Sequence, residues 1–135
     1  MSMKSWTEYG FGYPLFNDSN EGKIRGFLAE NIPELSKQIL KADYIENVMD
    51  ILDMDISCEI AEIINRLEGK NLFYGYHNCG DTDQEEMLGI SPAYPWQLKP
   101  EDMITKEEAI TLLKKYSDIL GITDEPDYFE AEYFG

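Results

Sequence analysis

His77 and Cys79 stand two positions apart, and His77 is the sole histidine of the chain. On an extended strand that spacing puts both side chains on one face, where the imidazole would lower the thiol pKa and make a nucleophile. No third group can be assigned to orient the imidazole, and neighbours on one strand rarely reach the geometry of a transfer pair. Two ordinary side chains beside a turn is therefore the preferred reading. Just beyond them Asp81, Asp83, Glu85 and Glu86, with Asn78, offer the hard oxygen donors that calcium or magnesium takes. The EF-hand pattern fails, because counting from Asp81 its glycine position holds Glu86 and its final glutamate position holds Pro92. A solvated acidic loop is the expectation here, and no metal ligand is assigned. Zinc is unsupported, since one His and two Cys fall short of the usual four ligands.

Other enzyme signatures are negative. Gly10-Phe11-Gly12 is followed, after Tyr13, by Pro14 and Leu15, so the third glycine of a dinucleotide loop is missing. Neither a phosphate-binding lysine loop, a G-x-S-x-G elbow nor an H-E-x-x-H helix occurs. No catalytic residue and no cofactor is assigned.

What remains is charge. The 135 residues carry 27 Asp plus Glu against 11 Lys plus Arg, a formal net charge of −16. A field of that sign repels phosphate backbones, so direct nucleic-acid binding would need a basic patch, and none is visible. The acids are unevenly placed. Residues 42–65 hold seven acids and no base, and residues 116–135 hold six acids and no base. Such segments steer basic partners and give salt-sensitive affinity. The face expected to do this is Asp50, Asp53, Asp55, Glu59 and Glu62, with Asp81, Asp83, Glu85 and Glu86 as a second patch. The competing explanation is solubility alone.

The elements that must position these residues follow from periodicity. An apolar fraction of 43% with 13% aromatics is globular, and a chain of this length buries roughly 70% of its unfolded surface, enough for one core. A single domain over 1–135 is expected. No apolar run approaches the roughly 18 residues of a membrane span and no signal-peptide core opens the chain, which points to a non-membrane, cytoplasmic protein with reduced cysteines.

Residues 1–17 read as an edge strand or extended loop, from Tyr9, Phe11 and Tyr13 at period two. Asp18 and Glu21 form a capping-box pattern ahead of Ile24, Phe27, Leu28 and Ile32, and Pro33 opens a second short helix ending near Lys41. Asp43 and Glu46 repeat the cap before a stripe that runs to Leu67 and Gly69, with a break expected at 53–55 because Asp caps helices better than it continues them. A hairpin is expected from Leu72 to His77 and Met87 to Ser91. Thr105 and Glu108 form a further capping box before Ala109, Ile110, Leu113, Tyr116 and Leu120, closed by Gly121. The acidic aromatic tail, residues 122–135, reads as either docked or frayed.

Pro92, Tyr94, Pro95 and Trp96 lie in the stretch Ser91 to Leu98, a rigid extended segment that would pack aromatics onto the sheet. Together with Tyr9-Gly10-Phe11-Gly12, Asn78-Cys79-Gly80-Asp81, Thr105-Lys106-Glu107-Glu108, Lys115-Tyr116 and the acidic aromatic ending, it resembles a family of short acidic proteins, without established activity, from phages and integrative elements of Gram-positive gut bacteria. The resemblance runs nearly end to end. It implies a cytoplasmic accessory protein of a mobile element and, by that context, a protein-binding role. It carries over no cofactor and no catalytic residue.

The expected architecture is α+β, a small antiparallel sheet around residues 72–91 packed by three to five helices. The expected function is a non-enzymatic acidic interaction protein that binds and modulates a basic partner protein, a class that includes nucleic-acid-binding proteins. Two alternatives stand beside it. One is a small hydrolase or metal-dependent enzyme centred on His77, Cys79 and the 81–86 loop, and the other is a structural or assembly component of the element. Oligomeric state is left open.

Overall fold

The computed structural model describes residues 5–42, 55–76, 86–90 and 104–134, with backbone alone for 5–8 and 131–134. Among the described residues, four α-helices and a four-stranded antiparallel sheet form one small α+β arrangement. In chain order these are β1 (Ser5–Pro14), α1 (Glu21–Asn31), a 3-10 turn (Pro33–Leu35), α2 (Ser36–Lys41), α3 (Ile56–Glu68), β2 (Phe73–Tyr76), β3 (Met87–Ile90), α4 (Lys106–Leu120) and β4 (Asp127–Phe134).

The sheet order is β2-β3-β1-β4. The expected hairpin forms, with Phe73 opposite Ile90 and Tyr76 opposite Met87. His77 and Ser91 at its ends lie outside the described residues. β1 departs from expectation, being an interior strand. Its last four residues pair with β3 from Phe11–Ile90 to Pro14–Met87, and its first eight pair with β4, from Ser5–Phe134 to Gly12–Asp127. Two glycines of β1 permit this close pairing on both sides. Gly12 faces Gly89 so closely that a Cβ on it would meet the Leu88 carbonyl oxygen, and the Phe129 ring lies directly on Gly10. The tail is thus docked as the outer strand β4.

Strand alternation sends Phe73, Leu88, Ile90 and Tyr13 to the face that the helices cover, where all are buried. Ile24 and Leu28 of α1, Ile60, Ile63 and Ile64 of α3, and Leu113 and Tyr116 of α4 complete that core. Tyr116 sets its ring edge-on against Phe27 and Phe73, at centroid separations of 6.5 and 5.7 Å. The buried Tyr13 hydroxyl donates to the Leu113 carbonyl at 2.6 Å. The opposite face carries a smaller cluster of Tyr76, Met87 and Phe129.

Caps explain where the helices start and stop. α4 begins on the expected Thr105–Glu108 box, and both α3 and α4 end on a left-handed glycine, Gly69 and Gly121, each at φ 71°. α1 starts later than its Asp18–Glu21 pattern suggests, at Glu21, because the buried Asn20 is used otherwise. Its amide donates to the Leu15 and Leu120 carbonyls and its oxygen accepts from the Asn17 N–H, tying the ends of β1 and α4 together. Asn65 does the same for β2, accepting from the Leu72 and Phe73 N–H groups and donating to the Phe73 carbonyl. Leu67, expected at the end of the α3 apolar stripe, is 56% exposed. The upstream part of that stripe, residues 43–54, lies outside the described residues.

Candidate functional site

The break at 53–55 expected from Asp composition is where α3 begins, with Asp55 at its N-cap position and Ile56 as the first helical residue. Asp55, Glu59 and Glu62 then fall at i, i+4 and i+7, one stripe of the helix. Asp55 and Glu62 are exposed and Glu59 is half-buried. Opposite them Ile56, Ile60, Ile63 and Ile64 go into the core, so the negative face over a buried one takes shape as the periodicity requires.

Glu86, assigned by sequence to a separate patch, joins this one. It stands just before β3, and its carboxylate accepts the Ser57 N–H at 3.0 Å. That is the position where a helix N-terminus most favours negative charge. Close approach depends on Gly75 of β2, since a Cβ there would lie 2.4 Å from both the Ser57 carbonyl carbon and the Cys58 nitrogen. Glu34, in the 3-10 turn, was missed by sequence reading; it adds to the potential at Glu59, and nothing local to it signals that placement.

Partial burial raises the Glu59 carboxyl above its ordinary value, Glu62 and Glu34 push in the same direction, and Arg66 opposes them. Cys58, half-buried with its thiol directed at the Gly75 carbonyl 3.8 Å away, is pushed up by burial and then by Asp55 and Glu86. A thiol so placed stays protonated at neutral pH and is a poor nucleophile.

Asp50, Asp53, Asp81, Asp83, Glu85, Pro92, Tyr94, Pro95 and Trp96 lie outside the described residues, as do His77 and Cys79. Among the described residues, no group of three or more His, Cys, Asp or Glu side chains is placed to hold a metal ion, and no helix is long and apolar enough to cross a membrane.

A second acidic locus joins α3 to α4. Glu68 accepts from the Tyr116 hydroxyl at 2.5 Å and from Lys115 Nζ at 2.9 Å. The Tyr116 hydrogen bond, followed by that of Lys115, holds the Glu68 carboxyl below its ordinary range. It lines a cavity of about 430 Å3 together with Lys70, Ile104, Glu108 and Leu112. A carboxylate fixed in its charged form serves structure better than proton transfer at neutral pH.

The third feature is the ribbon of β1 and β4. Tyr9 pairs with Glu130 and Phe11 with Tyr128, so these four side chains share one face. Tyr9 is 56% and Tyr128 60% exposed. Lys106 Nζ stands 5.4 Å from the Tyr128 centroid and 5.8 Å from that of Phe11, within cation–π range of both. No family model, curated protein or solved structure matches this chain.

Proposed function

We propose that this chain is a non-enzymatic acidic interaction protein, which binds and modulates a basic partner protein in the cytoplasm as an accessory of a mobile element. The observation that carries the reading is the gathering of Glu59, Glu62, Glu34 and Glu86 with Asp55 around the first turns of α3. Burial, then Glu62 and Glu34, work against the charge on Glu59, and a cationic surface docking on the cluster offsets that repulsion, so it favours encounter with basic partners. The family resemblance and the base-free segments of the sequence point the same way.

The test is a pull-down from lysate of a Gram-positive gut bacterium, nuclease-treated and washed at low and at high salt, with mass spectrometry of what stays bound. Wild-type protein should retain one basic protein that is lost as salt rises. The triple variant Asp53→Lys, Glu59→Lys, Glu62→Lys should fail to retain it while keeping its thermal unfolding transition. Equal retention by the folded variant would remove this face from the function.

A further inference from the structure

We infer that the outer edge of β4 accepts an extended basic segment of a partner protein as a fifth strand, whose Lys or Arg side chains stack on Tyr128 and Tyr9 and pair with Glu130. The inference deepens the reading above, on which it rests, by naming the mode of recognition and a second contact surface.

Three observations carry it. First, β4 spans Asp127–Phe134 and lies last in the sheet order, with β1 as its neighbour on one side and no strand on the other among the described residues. In an antiparallel ladder every second residue of such a strand turns its N–H and C=O outward, a template for another chain. No proline, a common means of blunting an edge, occurs within it.

Second, its charge selects the occupant. Asp127, Glu130 and Glu132 are the charged residues of β4, and no base accompanies them. Cross-strand like charges destabilise pairing and opposite charges support it. A second copy of β4 is therefore disfavoured, and a strand bearing Lys or Arg is favoured.

Third, the adjoining face already holds a cation. Lys106 of this chain lies over the Phe11 and Tyr128 rings, while Tyr9 and Tyr128 keep more than half of their surface in water. An incoming guanidinium or ammonium finds two exposed rings and the exposed Glu130 carboxylate on one face. Backbone pairing with side-chain selection at alternate positions is the general logic of strand addition.

The experiment uses the full chain and an eight-residue peptide alternating arginine with threonine. It also uses two versions N-methylated at alternate backbone nitrogens, one for each peptide edge, and a glutamate-threonine control. Affinity is measured at low salt, and amide hydrogen exchange is followed residue by residue. The expected result is that the parent peptide slows exchange at alternate amides of Asp127–Phe134. One methylated version should lose roughly tenfold or more in affinity while the other binds like the parent, and the glutamate peptide should not bind. The pair Tyr128→Ser with Glu130→Lys should abolish this protection. Equal binding by both methylated versions, or exchange in β4 unchanged by bound peptide, overturns strand addition. If binding is instead lost in Glu59→Lys, Glu62→Lys protein with β4 exchange never altered, the acidic-partner reading stands and the edge assignment falls. Absence of any peptide binding also overturns the edge assignment and leaves the broader reading to the pull-down.

Discussion

The Glu86 carboxylate accepts the Ser57 amide hydrogen at 3.0 Å, joining the start of β3 to the first turn of α3 across 29 positions of sequence. A residue that reads as part of an acidic loop is thereby a helix cap supplied from a distance. Asp55, at the N-cap position itself, makes no side-chain cap hydrogen bond, so Glu86 performs the service that a capping residue usually performs locally. Glu86→Ala should cost about 1 kcal/mol in urea unfolding, and Glu86→Gln, which keeps a neutral acceptor, should cost less. An alanine variant with wild-type stability would contradict the capping role.

Gly75 is the other half of that junction. A methyl group there would press on the backbone of Ser57 and Cys58 at 2.4 Å, and backbone yields far less readily than a side-chain tip. Gly75→Ala should destabilise the protein by about 2 kcal/mol or more by lifting the α3 N-terminus off β2. Exchange of the first-turn amides of α3 should accelerate more than that of α4. Uniform acceleration would argue against a local clash.

Glu68 predicts the acid side of the stability profile. Its carboxyl is lowered by the Tyr116 hydroxyl and by Lys115, so the folded state binds the proton less readily than the unfolded state. That stability is present above the unfolded carboxylate pKa of about 4.3 and is lost as pH falls through the folded value. Tyr116→Phe should cost about 1 kcal/mol at neutral pH and should flatten this part of the profile. A variant whose acid dependence matches wild type would sink the assignment.

Tyr13 and Tyr116 govern the alkaline side. Burial raises both phenols, with Asp118 adding to it at Tyr13 and Glu68 adding to it at Tyr116. The unfolded chain ionises these groups near pH 10 while the folded chain still holds their protons, so stability falls as pH rises beyond about 10. Tyr13→Phe should reduce that fall, at a cost of about 1 kcal/mol at neutral pH for the lost bond to Leu113. Denaturant midpoints between pH 8 and 11 measure both effects.

Local chemistry made part of this molecule legible in sequence. The Thr105–Glu108 box, Gly69 and Gly121 each depend on neighbours within one turn. Partnership across the chain was not legible. Asn20 abandons a cap for the ends of β1 and α4, and β1 turns out to be interior because residues more than a hundred positions away pair with it. In the candidate site the stripe Asp55, Glu59, Glu62 could be read from helical period. The addition of Glu34 and Glu86 could not, since each comes from another element.

Glu59 carries the last prediction because its sign is opposite to that of Glu68. Its carboxyl is raised by partial burial and then by Glu62 and Glu34, so the charged form is a burden on the folded state that grows as pH rises through the carboxylate range. Glu59→Gln removes the charge and keeps the shape. It should stabilise the isolated protein at neutral pH by a few tenths of a kcal/mol, the usual size of a like-charge pair on a helix. The gain should shrink as pH falls through the carboxylate range and wild-type Glu59 takes up its proton. The same variant should weaken capture of a basic partner, because repulsion stored in the free protein is what docking relieves. Higher stability with undiminished capture would separate the two effects and mark the charge at Glu59 as incidental to binding.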